Sequence, residues 1–165
     1  MNKNLKLYKS DSEELDLKHL ELVDTVDFID YTKCKKINCS YNKIKKLENL
    51  PKCLIYLDCS DNLIENLDNL PNGLEYLNCN LNNIKLLDNL PNNLVRLNCV
   101  NNYIQNLDNL PNSLKILYCC MNQVDKFDNL PNSLEYLFCD IKSETDYFEL
   151  KSKYPNLKIN TIIKR

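Results

Sequence analysis

Nine cysteines are the residues of this 165-residue chain with the most chemistry to offer, and six of them, Cys39, Cys59, Cys79, Cys99, Cys119 and Cys139, recur every twenty positions. Thiols stacked on neighbouring strands would stand about 4.8 Å apart, close enough to suggest a redox ladder. Cys34, Cys39, Cys53 and Cys59 could be tried as a zinc set, but their spacings are not the paired short loops of zinc ribbons. The plainer reading makes the periodic cysteine a small buried hydrophobe where leucine would overfill the space. Cys120, one residue past that column, has outward parity and is the thiol expected to meet a probe first.

Acid–base chemistry has little to work with. His19 is the only histidine and lies far in sequence from every outward cysteine, so a Cys-His or Ser-His-Asp arrangement is hard to assemble. Asp68, Asp88, Asp108 and Asp128 form a periodic acidic column, but the glycine-rich calcium motif of β-helices is absent, which favours turn caps over a bound ion. A phosphate-cradling loop cannot be built from one glycine. The expectation is a protein that is not an enzyme and has no metal and no cofactor.

The elements that would position these residues are set by the repeat itself. Leu67–Leu86 and Leu87–Asn106 agree at twelve of twenty positions with nothing between them, and Pro51, Pro71, Pro91, Pro111 and Pro131 keep the same step. So do Asn42, Asn62, Asn82, Asn102 and Asn122. Written as a unit the repeat is L-x-x-L-x-C-x-x-N-x-I-x-x-L-D-N-L-P-N-x, and a fixed period of this length is the mark of a solenoid. In Glu75–Cys79 alternation turns Leu77 and Cys79 inward and Tyr76 and Asn78 outward, as a half-buried strand requires. One repeat buries too little apolar surface to offset the ordering of its own chain, so it must share a core with its neighbours. The asparagine amide, able to donate and accept, is expected to serve the backbone at each bend and to supply the turns that glycine usually makes.

The first part of the unit resembles the L-x-x-L-x-L-x-x-N-x-L core of leucine-rich repeats, with cysteine in place of a leucine. The short step and the leucine-proline pair are similar to bacterial effector-type repeats, and "LPNSL" at Leu110–Leu114 and Leu130–Leu134 is similar to the FNIP-type repeats of amoebae and large DNA viruses. The resemblance implies a curved solenoid, α/β by family, built mostly of short parallel strands with an extended or 3-10 convex side. Some bacterial relatives append a ligase domain with a catalytic cysteine, for which the residues after Cys139 are too few.

Three segments are expected: 1–33, a cap or degenerate repeat; 34–139, the repeats; 140–165, a helix-strand cap. Leu17–Leu22 fits L-x-x-L-x-L, and a helix begun at Ser10 with Glu13 closing a capping box is the alternative. After Cys139 the spacing predicts a short helix capped by Ser143 or Thr145, with Tyr147, Leu150 and Tyr154 on one face, stopped at Pro155, then a last strand in "NLKINTII".

Parity then names the outward columns. One reads Lys36, Tyr56, Tyr76, Arg96, Ile116, Tyr136; the next reads Asn38, Asp58, Asn78, Asn98, Tyr118, Phe138; Met121 follows beyond the strand. Ile116, Tyr118, Met121, Tyr136 and Phe138 should make an apolar contact patch, unless the carboxyl-terminal cap folds over it. The expected function is a protein–protein interaction scaffold that binds a protein or peptide through Tyr56, Tyr76, Arg96, Ile116, Tyr118, Met121, Tyr136 and Phe138. The alternative is a substrate-selecting adaptor in a larger assembly, for example a ubiquitin-ligase or signalling complex, docked through the acidic stretch from Asp11 to Asp30. The lysines from Lys33 to Lys52 pose the choice between a solvated face and a landing site for an acidic partner.

A net charge of −2 gives no global pull towards nucleic acid, and no apolar run is long enough to span a bilayer. The start "MNKNLKLYKSDSEE" lacks a signal-peptide core. A monomer in a reducing, cytoplasmic compartment, that of the host if the chain is viral, is the expectation, with neither membrane nor nucleic acid as partner.

Overall fold

The computed structural model describes residues 10–163. Most of the sheet comes from one short strand per turn: β1 (Glu14–Asp16), β3 (Lys36–Asn38), β5 (Tyr56–Asp58), β6 (Tyr76–Asn78), β7 (Arg96–Asn98), β8 (Ile116–Tyr118) and β9 (Tyr136–Ile141). Helix α1 (Glu144–Lys153) follows, then strand β10 (Lys158–Ile163). These eight strands pair in parallel in the order β1-β3-β5-β6-β7-β8-β9-β10. A second pair, β2 (Val23–Asp27) with β4 (Lys43–Glu48), lies on the return side of the first two turns.

Register follows the repeat. Ile37, Leu57, Leu77, Leu97, Leu117, Leu137 and Ile159 are successive partners, and the thiol two residues later in each turn is buried with them, at Cys39, Cys59, Cys79, Cys99, Cys119 and Cys139. Ile64, Ile84 and Ile104 close the core from the far side, with Leu67, Leu87 and Leu107 behind them. The result is a leucine-rich repeat solenoid with, among the described residues, one helix, near the carboxyl end.

Each turn is stitched to the one before by its asparagine. Asn82 accepts the Ile64 N–H at 2.8 Å and donates to the carbonyls of Cys59, Cys79 and Asn80. Asn42, Asn62, Asn102 and Asn122 repeat the pattern, each spanning two turns. These amides satisfy backbone groups that a glycine would have left open. After each periodic proline a tight turn forms, with Leu54, Leu74, Leu94, Leu114 and Leu134 donating to the proline carbonyl three residues back at 3.0 Å.

The positive backbone angles fall elsewhere than expected. The ladder asparagines are not the left-handed residues; the positions just before them are, at Tyr41, Asp61, Leu81, Asn101 and Met121, with φ between 52° and 58°. A second left-handed series, Asn49, Asn69, Asn89 and Asn109, sits in the return path and is asparagine throughout, as that region favours. Gly73 carries no positive φ, and a Cβ there would meet only Leu54 O at 3.8 Å and Lys52 O at 3.9 Å. Gly73 lies in the turn after Pro71, at a φ that does not require glycine.

The amino end corrects two expectations. No helix starts at Ser10; residues 10–13 form a turn and bend ahead of β1. The first turn is a degenerate repeat in a different register from Leu17–Leu22: Leu15 pairs with Ile37, so Leu17 occupies the cysteine position and Leu22 the isoleucine position. In the observed register β1 turns Leu15 inward and Glu14 and Asp16 outward, with Glu14 paired to Lys36 at 2.8 Å. Most of the amino-terminal stretch examined for a signal peptide lies outside the described residues.

At the carboxyl end the expected helix and strand are present. Ser143 Oγ accepts from Asp146 N–H and caps α1, Glu144 and Asp146 lie in its first turn, and Lys151 and Lys153 lie in its last. Leu150 is buried, and Tyr147 and Tyr154 pack beside it against the core. The Tyr154 hydroxyl donates to Asp128 O at 2.8 Å and accepts from Leu130 N–H at 3.1 Å. Those contacts seat α1 on the return path of the last full turn.

Candidate interaction surface

The outward face of the parallel sheet is built by alternation. In every strand the central leucine or isoleucine turns inward, so its two neighbours stand outward at the spacing of the ladder. Lys36, Tyr56, Tyr76, Arg96, Ile116, Tyr136 and Lys158 are consecutive partners in one column, and Asn38, Asp58, Asn78, Asn98, Tyr118, Phe138 and Asn160 in the next.

In-register rings at this spacing stack. Tyr56 and Tyr76 lie 4.3 Å apart at 6° between planes, and Tyr118 and Phe138 lie 4.2 Å apart at 11°. Arg96 sits between the pairs, its guanidinium carbon 5.7 Å from the Tyr76 ring and 5.2 Å from the Tyr118 ring, and Nη2 donates to the Tyr118 hydroxyl at 3.1 Å. Lys158 Nζ stands 4.6 Å over the Tyr136 ring and donates to its hydroxyl at 2.9 Å. The late apolar patch and the expected early residues Tyr56, Tyr76 and Arg96 thus lie in one ladder, with the guanidinium between its two ring pairs. Ile116 is half-buried, and Met121 is 59% exposed at a left-handed turn beside the sheet.

The capping helix does not lie on Tyr118 and Phe138. Its anchors reach Asp128 and Leu130 on the return side, while β10 extends the sheet edgewise and sets Asn160 beside Phe138. Burial pushes the Tyr56 phenol up to about 12, with Tyr76 and Asp58 adding to the effect. Asp58 accepts from Ser60 N–H, Ser60 Oγ and Asn78 Nδ2.

The groups that could carry other chemistry are placed apart. The periodic thiols are sealed in the core, and burial raises Cys39 and Cys99 to about 12 and Cys59, Cys79 and Cys119 well above their ordinary value. Several give their weak S–H to a carbonyl of the next strand, as Cys99 does to Tyr118 O at 3.3 Å. Cys53, not Cys120, is the exposed thiol; Cys120 is half-buried in the closely packed outward column beside β8. Cys53 sits in the turn after Pro51, where parity arguments for strands do not reach. His19 lies in a left-handed turn after β1, with its ring 4.6 Å from Tyr41. Among the described residues no three of His, Cys, Asp and Glu come together as ligands, and no helix is long and apolar enough to cross a membrane.

Three lysines of the run pair with the acidic first turn, Lys35 with Glu13 at 3.0 Å, Lys36 with Glu14 at 2.8 Å and Lys45 with Asp24 at 2.8 Å. These are exposed pairs that contribute little stability each.

Fold and face together define a leucine-rich repeat solenoid with an aromatic sheet surface. No family model matches the sequence, and no curated protein matches it. Solved structures do. The chain is similar to the leucine-rich repeat domain of a Shigella effector, at 24% identity and a TM-score of 0.69 over 91% of this chain and 81% of that one. It is similar to YopM from Yersinia enterocolitica, at 25% identity and a TM-score of 0.73 over 94% of this chain and 36% of that one. InlJ from Listeria monocytogenes, whose functional domain includes a cysteine ladder, matches at 22% identity and a TM-score of 0.60 over 93% of this chain and 43% of that one. The chain thus spans well under two thirds of YopM and InlJ.

Proposed function

We propose that the protein is a non-enzymatic interaction scaffold whose outward sheet face binds an extended segment of another protein or a peptide. Solenoids of this kind commonly present their concave face to partners, and fold alone does not choose the partner. The observation that carries the reading is the ladder of rings and Arg96, running across strands β5 to β9 and left uncovered by α1. Residues 34–139 hold this surface, and the described segments 10–33 and 140–163 lie at its two ends. Changing Tyr118 and Phe138 together to serine is expected to abolish partner capture from host lysate while shifting Tm only slightly. Retained capture would sink the assignment of this face, and loss of folding would assign the two rings to the core instead. The adaptor reading has less support, since Glu13, Glu14 and Asp24 of its docking segment are already engaged by lysines of the next turn.

A further inference from the structure

Arg96 is the one cation in the middle of the outward face, and its charge is unmatched there. Among the described residues no carboxylate lies within salt-bridge distance of it. Asp58, on the same sheet face, already takes hydrogen bonds from the Ser60 N–H, the Ser60 hydroxyl and the Asn78 amide, and Asp140 accepts Met121 N–H. One of the five guanidinium N–H groups is given to the Tyr118 hydroxyl, which fixes the side chain between the two ring pairs and leaves the others facing solvent. A guanidinium held between rings is a preformed receptor for a carboxylate.

Spacing adds the rest of the pattern. Each ring pair is centred one and a half strands from Arg96 in the register, about 7 Å at the usual strand spacing. Alternate side chains of an extended peptide are roughly 7 Å apart. Resting on the reading that this face binds an extended segment, we infer that its ligand is an acidic peptide of the form apolar-x-Asp/Glu-x-apolar. The carboxylate lies on Arg96, one apolar residue on Tyr56 and Tyr76, the other on Tyr118 and Phe138. Charge complementarity selects a carboxylate-bearing chain over a basic one, and the flanking rings favour apolar neighbours over a run of acids.

The test selects random peptides displayed on phage against the intact protein, then measures synthetic versions of the enriched sequence against wild type, Arg96→Gln and the Tyr118→Ser/Phe138→Ser double variant. The expected result is enrichment of the spaced motif. The affinity should fall about tenfold or more when the peptide's acid becomes its amide, and as much with Arg96→Gln, but little further when both changes are combined. Peptides that need the two rings but show no acidic position coupled to Arg96 would overturn this inference and leave the face assignment standing. Peptides indifferent to the rings, or no enrichment at all, would overturn both. Oligothymidylate binding that depends on Arg96, with no peptide motif, would replace the carboxylate by a phosphate and likewise refute it.

Discussion

Asn82 takes the Ile64 N–H on its side-chain oxygen at 2.8 Å while its amide nitrogen reaches Cys59 O at 3.0 Å, so one side chain ties two consecutive turns together. The amide is buried, and every one of its partners is a main-chain group; the carbonyls of Cys59, Cys79 and Asn80 also accept from Asn62, Asn102 and the Asp61 N–H, whereas the Ile64 N–H goes to the Asn82 oxygen. Replacing Asn82 by alanine is expected to cost roughly 1 to 3 kcal/mol, read from urea unfolding. Asn92, exposed in the turn after Pro91, is the control and should change stability by about 0.5 kcal/mol or less.

Thiol chemistry should separate by location. With a bulky, water-soluble disulfide reagent the native protein is expected to lose Cys53 quickly and Cys120 slowly, and the six periodic thiols only on unfolding. Rapid labelling of the periodic set would invert the parity on which the outward face depends.

The same burial gives a pH dependence. Cys39 and Cys99 stay protonated in the fold until about pH 12, whereas unfolded thiols ionise near 9.0. Between those values the folded chain holds more protons than the unfolded one, so stability falls as pH rises from about 9 to about 12. Replacing Cys39 and Cys99 by alanine should flatten that slope in denaturant titrations, whatever it does to stability at pH 7.

Size at the cysteine position is a second constraint. Cys79 is fully buried in a layer between Cys59 and Cys99, and leucine there adds volume to a closed space. Cys79→Leu is expected to cost about 1 to 3 kcal/mol by overpacking, measured by thermal or urea unfolding. A stabilising outcome would show that sulfur is not chosen for its small volume.

Tyr154 joins α1 to the last full turn through a hydroxyl that both donates and accepts. Tyr154→Phe keeps the ring and removes both bonds, for an expected loss of about 1 to 2 kcal/mol. Hydrogen exchange should quicken at Leu130 and along α1 but not in β5 or β6. Uniform loss of protection would mean that the cap and the repeats open as one unit.

Much of this architecture is legible in the sequence because the period writes it five times over. Leu57, Cys59, Asn62 and Ile64 each recur at fixed step, and alternation then assigns faces with no further information. What resisted reading lies where the period is broken or where residue type is free. Leu15 and Leu17 are hidden because the first turn is two residues longer than the twenty-residue step that follows, with Glu14 paired to Lys36. The left-handed positions at Tyr41, Leu81 and Met121 carry side chains that announce no turn, unlike Asn69 and Asn89. The exposure of Cys53 depends on a turn after Pro51, and the part played by Arg96 depends on which rings end up on either side of it. Counting positions places Arg96 on the face; only packed coordinates put it between Tyr76 and Tyr118.

Because each turn touches mainly its two neighbours, the strand order doubles as a ruler. A duplicated copy of residues 67–86, inserted after Leu86, would leave both closed ends intact and lengthen the body by one strand spacing, about 4.8 Å. It would also set a second Tyr76 ring between the first and Arg96, so the molecule gains length and keeps its folding rules while the distance from Tyr56 to the guanidinium slips by one graduation. The number of turns therefore sets the spacing of the outward side chains as much as the register does.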